Sequence, residues 1–421
     1  MRPKRLRRAL VGTLCGIAVV AGSSVASSGP VLQVSSSGDA ASPRTDWVTT
    51  GVARNGAQLV VWSAPDASGG ELHLWGRMIR ADGTVEGVQF EISRPRLDGE
   101  PVNAVAPAVA PRGRRNEFLV VWTQDDLADN GGERSEVYGR RIAASGVPLS
   151  EPFVVAARDR FDQVGSAAVA YGGARREFVV VWSGASTSGG SAIHGARVPG
   201  GTSRVGEAFG VSPPRFGDTS DFGPNDPTIA YDSRAGYYLV GWEGRTAELP
   251  SGRTEVYVRL LKRAPNQLGR TRRVSGFTTA GRLLLRPDLA YNRRADEYVL
   301  AWSPGEGDEQ NIFARRIGPA GRPRGPETEI GIDTGWAPDI AVAPDGHYLL
   351  AFQHGVDTTS VHRRRIGRQL TAGRLRQVST TAPAGLPSVA YSKAADRFVA
   401  VWLQAVPPDQ DQNYEAFARQ L

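Results

Sequence analysis

One cysteine, two methionines and only three lysines occur among 421 residues. A single thiol rules out an internal disulfide framework and any zinc site built on paired cysteines. No uninterrupted apolar stretch approaches the roughly 20 residues of a membrane-spanning helix. The G-x-S-x-G elbow, the Walker loop and H-E-x-x-H are also absent, so three common hydrolase and nucleotide-binding chemistries lose their sequence basis. Five histidines are scattered, His194 and His362 at positions where other repeats carry tyrosine or another aromatic, and His73 and His354 elsewhere. What the chain has in excess is turn-formers. Fifty glycines and 28 prolines make long helices unfavourable, while nine Trp and 13 Phe set in short apolar runs supply a core that a disordered chain lacks.

The formal charge of +7 is concentrated at the start of the chain. Arg2, Lys4, Arg5, Arg7 and Arg8 precede the apolar run Ala9 to Gly22, and Ser24-Val25-Ala26 places small residues at −3 and −1 of a cleavage site. This pattern predicts a secretory signal peptide over 1–26, with Arg7-Arg8 loosely matching a twin-arginine signal. Without those five cations the remaining 27–421, read as a single domain, carries about +2. Nucleic acid is therefore not expected as a partner, and neither is a membrane span. The expected location is outside the cell or on its wall, and the expected state a monomer.

Self-comparison is the informative step. Trp62, Trp122, Trp182, Trp242 and Trp302 recur about every 60 residues, followed by Phe352 and Trp402 at about 50. Each ends an apolar run such as Phe178-Val179-Val180-Val181-Trp182. A second short strand precedes each anchor, marked by Pro107-Ala108-Val109-Ala110, Pro227-Thr228-Ile229-Ala230, Pro287-Asp288-Leu289-Ala290, Pro338-Asp339-Ile340-Ala341 and Pro387-Ser388-Val389-Ala390. A third follows it, as in Val137-Tyr138-Gly139-Arg140, and a fourth closes the unit, as in Phe90-Glu91-Ile92-Ser93. Strands apolar at nearly every position need cover on both faces. Radial stacking of four-stranded antiparallel blades provides that cover without helices.

The final repeat stops at Phe417-Ala418-Arg419-Gln420-Leu421, a third strand with nothing after it. Val31-Leu32-Gln33-Val34-Ser35 matches Leu375-Arg376-Gln377-Val378-Ser379, so the missing fourth strand is expected from the other end of the chain. On these residues the protein resembles the seven-bladed β-propeller group. The resemblance implies an all-β ring closed by an N-terminal strand completing the C-terminal blade. It transfers no catalytic residue, because neither a Trp-Asp ending nor a Ser-x-Asp-x-Gly-x-x-Trp box is present.

The recurrent third-strand arginines Arg77, Arg140, Arg259, Arg315, Arg364 and Arg419 are expected to lie over aromatic faces or pair with acids between blades. Loops on one face of such a ring sum to about −14 and those on the other to about +10. The acidic face carries the candidate sites. Asp125, Asp126 and Asp129 offer oxygen ligands suited to Ca²⁺. Asp226, Asp288 and Asp339 sit beside the prolines that open the inner strands, with Trp336 nearby. Aspartate at a strand start is also a common turn cap. An exposed ring with carboxylates is equally what a sugar site uses. The leading expectation is a secreted, non-catalytic binding module that engages an extracellular glycan, cell-envelope polymer or protein through its loop face. The alternative is a secreted carbohydrate-active hydrolase or lyase using the channel-mouth carboxylates.

Overall fold

Runs such as Leu239-Val240 and Val179-Val180-Val181 are fully buried because each sheet is sandwiched between two others. The computed structural model describes residues 28–36, 47–65, 70–93, 96–97, 100–126, 135–186, 190–213, 225–244, 254–262, 267–276, 286–304, 311–332, 334–355, 358–381, 383–407 and 413–421. The signal-peptide reading of 1–26 falls outside them, as does Asp129. Among the described residues the only helical element is a single 3₁₀ turn, Gly113–Arg115. Seven antiparallel sheets make up the rest, and their inner strands contact one another in cyclic order, the last touching the first. The chain folds as a seven-bladed β-propeller.

Blade 1 runs inward to outward as Val48–Val52, Gln58–Pro65, Leu72–Ile79 and Val85–Glu91. Blades 2 to 6 repeat this order, with inner strands Glu100–Pro111, Phe161–Gly172, Asn225–Asp232, Asp288–Asn292 and Gly335–Val342. Blade 2 gains a fifth, two-residue strand, Arg96–Leu97. Blade 7 takes Ala384–Ser392, Arg397–Ala405 and Tyr414–Gln420 from the C-terminus and its outer strand, Val31–Gln33, from the N-terminus. The closing register pairs Val31 with Arg419 and Gln33 with Phe417.

Seven apolar clusters fill the seven junctions between blades. Each anchor aromatic enters one of them and also lies across from an aromatic on the third strand of its own blade. Trp402 stacks on Phe417 with ring centroids 6.1 Å apart, Trp242 on Tyr257 at 6.2 Å and Trp182 on His194 at 6.1 Å. His194 and His362 are thus packing rings, and burial lowers the pKa of both imidazoles. Neighbouring blades crowd together, and Gly172 shows how closely: a Cβ there would lie 2.0 Å from the hydroxyl of Tyr238 on the second strand of the next blade.

The third-strand arginines do something other than expected. Arg140 donates to the carbonyls of Ser150, 3.0 Å, in its own blade and Ile92, 2.8 Å, in the blade before. Arg259 bridges Gly269 and Val211 at 2.8 and 2.7 Å, and Arg315 bridges Gly325 and Val274 at 3.0 and 2.7 Å. Arg77 reaches the Val34 carbonyl of the N-terminal segment at 2.8 Å, and Arg419 the Gly29 carbonyl at 2.9 Å. The reason is geometric: a planar five-donor fork fits two carbonyls left over where outer strands end. These arginines staple neighbouring blades through backbone oxygens.

Part of the basic loop face is neutralised from within. Glu117, at the start of a second strand, pairs with Arg112 at 2.8 Å and Arg141 at 2.6 Å, and Glu297 lies 3.7 Å from Arg316 and 3.8 Å from Arg324. The two arginines hold the Glu117 carboxyl below its usual range despite burial.

Candidate functional site

Each inner strand enters the ring from the face bearing the second-to-third connections. In five blades its entry is marked by a proline preceded by a residue with positive φ. These are Ala106, Asp226, Arg286, Ala337 and Leu386, with φ between 35° and 50° at all five. The ladder slips at the same point, for example between Trp336 and Asp339 and between Asn225 and Thr228. A bulge re-aims the side chains beside it, and a non-glycine residue in this region is strained. Among the described residues the same local conformation thus recurs at the inner-strand entry of five blades.

The structure brings Asp288 and Asp339 together and leaves Asp226 apart. Asp288 follows Pro287 in blade 5 and accepts from the Thr228 hydroxyl of blade 4 at 3.1 Å and from the Ile340 amide of blade 6 at 2.8 Å. Asp339, one blade on, accepts from the Val389 amide of blade 7 at 3.0 Å. Asp226 precedes its proline instead of following it, and takes a hydrogen bond from Ser166 at 3.0 Å. All three carboxylates reach across to a neighbouring blade, and Asp288 also accepts from the Leu289 amide of its own strand.

Burial raises the pKa of both Asp288 and Asp339, and for Asp339 the Asp288 charge raises it further, well above the ordinary range. Donors to Asp288 oppose the rise. Two carboxyls within electrostatic reach do not both ionise readily. Asp288, with the larger set of donors, takes the negative charge first, and Asp339 keeps its proton. Trp336 lies two residues before Pro338, half-buried, with the Arg286 guanidinium over its ring at 5.5 Å. Arg286, which sequence patterns did not single out, shares this corner because it precedes Pro287 in the adjacent blade. Its place before a repeat proline was the one available signal.

Asp125 is the penultimate residue of the second strand Glu117–Asp126, opposite Asn103 and Ser135. Burial pushes its carboxyl up to about 6. The side chain of Asp126 and the whole of Asp129 lie outside the described residues, as do most of the acidic connections. Among the described residues no three His, Cys, Asp or Glu side chains gather as a metal would need. No described helix is long and apolar enough to cross a membrane.

No family model and no curated protein matches the chain. Solved structures do. A polysaccharide lyase, an ulvan lyase bound to -[GlcA(1-4)Rha3S]-, superposes with a TM-score of 0.58 at 8% identity, over 90% of this chain and 94% of that one. An α-L-arabinofuranosidase from Fusarium graminearum gives 0.52 at 10% identity, over 90% and 93%. A protein of unknown function from Dyadobacter fermentans gives 0.56 at 10%, over 76% and 95%. Identity this low establishes a shared fold. Two of the three are glycan-cleaving enzymes, and with the buried carboxyl pair they overturn the expectation of a non-catalytic binding module.

Proposed function

We propose that this protein is a carbohydrate-active enzyme that hydrolyses an extracellular polysaccharide at the mouth of its channel. The observation carrying the reading is the Asp288–Asp339 pair, two carboxyls whose environments separate their protonation states. Glycoside hydrolysis needs one carboxyl that still holds its proton and one that is ionised. Asp339 is the proton donor to the leaving oxygen, and Asp288 the carboxylate facing the developing positive charge or activating water. Trp336 supplies a ring for a sugar face, fixed by Arg286. Elimination would use a carboxylate to remove a carbon-bound proton beside a uronate, and the unsaturated product it leaves separates it from hydrolysis in the test below. The small solved propellers of similar extent named above are a lyase and a furanosidase, which agrees with a glycan as substrate. The basic and then apolar N-terminal segment, read as a signal peptide, supports action outside the cell.

The test is incubation of the protein with a panel of neutral and acidic polysaccharides, scoring new reducing ends and the ultraviolet absorbance of unsaturated uronyl products. Reducing ends without that absorbance are expected. Asp339→Asn and Asp288→Asn each retain an acceptor for the amide they bind, so the fold should persist while turnover falls about 10²- to 10⁴-fold. Failure of the unaltered protein to cleave any polymer, with both variants changing only thermal stability, would assign the pair a purely structural role.

A further inference from the structure

The seven blades repeat a cross-strand pair between the outer strand and the residue before the staple position, which is arginine in six blades and Ala196 in blade 3. In three blades the pair is glycine under phenylalanine: Gly76 with Phe90, Gly139 with Phe153 and Gly195 with Phe209. A Cβ on any of these glycines would lie about 3 Å from the ring above it, since the nearest ring carbons are at 3.1, 3.0 and 3.1 Å. In blades 4, 5 and 7 the pairs are Val258 with Arg272, Ala314 with Thr328 and Ala418 with Leu32. Blade 6 departs from them all, setting Arg363 directly opposite Arg376.

Like charges opposed across a ladder destabilise it. Here two more cations join them. Arg374 lies two residues before Arg376 on the same face of the outer strand, and Arg419 comes from blade 7. The four guanidiniums line one groove of about 410 Å³ at the outer rim between blades 6 and 7, with Ser28 at its edge. Among the described residues no carboxylate lies within 4.0 Å of any of the four. Arg363 donates to the Ser28 hydroxyl at 3.1 Å, and Arg419 is committed to the Gly29 carbonyl. Arg374 and Arg376 are exposed. Burial, then Arg376 and Arg419, weaken the hold of Arg363 on its proton.

We propose that this groove binds the oxyanion groups, sulfate or carboxylate, of an acidic polysaccharide. A planar fork matches such groups with two parallel hydrogen bonds, and an anion there would relieve the repulsion the ladder carries. The lining holds no aromatic ring on which a base could stack and one apolar residue, Leu375, so nucleic acid and lipid are poorer matches. The site is remote from the channel mouth and would anchor a polymer independently of its cleavage.

Binding of dextran sulfate, polygalacturonate, neutral dextran and single-stranded DNA to the purified protein, by titration at low and high salt, tests this. The two acidic polysaccharides should bind and neutral dextran should not, with salt weakening the interaction. Arg374→Glu with Arg376→Glu should reduce affinity at least about tenfold. The same charge change placed in blade 2, three junctions away around the ring, Arg114→Glu with Arg115→Glu, should leave affinity within about twofold. Thermal scans add a readout for folding: dextran sulfate should raise the Tm of the unaltered protein and not that of the Arg374/Arg376 variant. Equal losses in the two variants would reduce the effect to net charge. Absence of binding, or tighter binding to DNA than to either polysaccharide, would also overturn the proposal. A protein that binds these polymers but cleaves none would sink the catalytic reading and leave this one standing.

Discussion

Ser35 and Glu415 stand 380 positions apart, yet the Ser35 hydroxyl donates to the Glu415 carboxylate and accepts from the Ala416 amide at 2.7 Å. Within blade 4 the same arrangement joins Ser275 to Glu255 and to the Val256 amide. The N-terminal segment therefore does for blade 7 what a covalently continuous fourth strand does for blade 4. Removing residues through Ser36 should lower the Tm sharply by exposing the edge at Tyr414–Gln420. Ser35→Ala alone should cost about 1–3 kcal/mol, since it strands a buried amide. An unchanged Tm in the truncated protein would refute closure by this strand.

Arg140 is the most buried of the staples, 9% exposed, and bonds carbonyls in two blades. Arg140→Ala should destabilise by about 2–3 kcal/mol by leaving those carbonyls without their charged donor. Arg140→Lys should recover only part, because one ammonium does not span both oxygens as a fork does. Chemical denaturation would rank the three proteins, and equal stability of the Lys variant and the parent would contradict the bridging role.

His194 is wedged between Trp182 and Phe161, and burial lowers its pKa. The unfolded chain then takes up a proton near the ordinary value of about 6.5, at which the folded state still refuses it. Stability should be full above that pH and decline as pH falls below it. His194→Phe, which copies the Phe313 and Phe417 positions, should flatten that acid-side decline in Tm. A variant with the parent's pH profile would show that the imidazole stays neutral for free.

Asp125 has the opposite dependence. Its carboxyl is held up at about 6 by burial, against an ordinary 3.8, so the folded state binds the proton more tightly than the unfolded one. Stability should fall as pH rises through that window, by up to about 3 kcal/mol. Asp125→Asn should raise the Tm at neutral pH and change it little in mild acid. If Asp125, Asp126 and Asp129 hold Ca²⁺, then Ca²⁺ should raise the Tm of the parent and not of the variant. A parent indifferent to Ca²⁺ would end that reading.

The periodic anchors, the prolines that open inner strands and the echo of Val34-Ser35 in Val378-Ser379 were enough to specify blade number, strand count and the route of closure. Those features are local: an apolar run, a turn-former and a repeat length each act within one blade, and a ring merely copies them. The staples and the carboxyl pair were not legible in this way. Arg140 finds its second carbonyl at Ile92, in the preceding blade, and Asp288 meets Asp339 across a junction between blades. Strand pattern places an aspartate at an inner-strand entry. It says nothing of which neighbour's amide or charge the carboxylate will face, because that depends on how far one blade is rotated against the next. Asp226 differs from Asp288 by lying one residue before its proline rather than one after, and the bulge turns that difference into separate surroundings. Sequence alone determined the repeated unit. Stacking those units at close range, where burial strengthens the interaction between charges, decided which aspartates face one another and which carbonyls each arginine bridges.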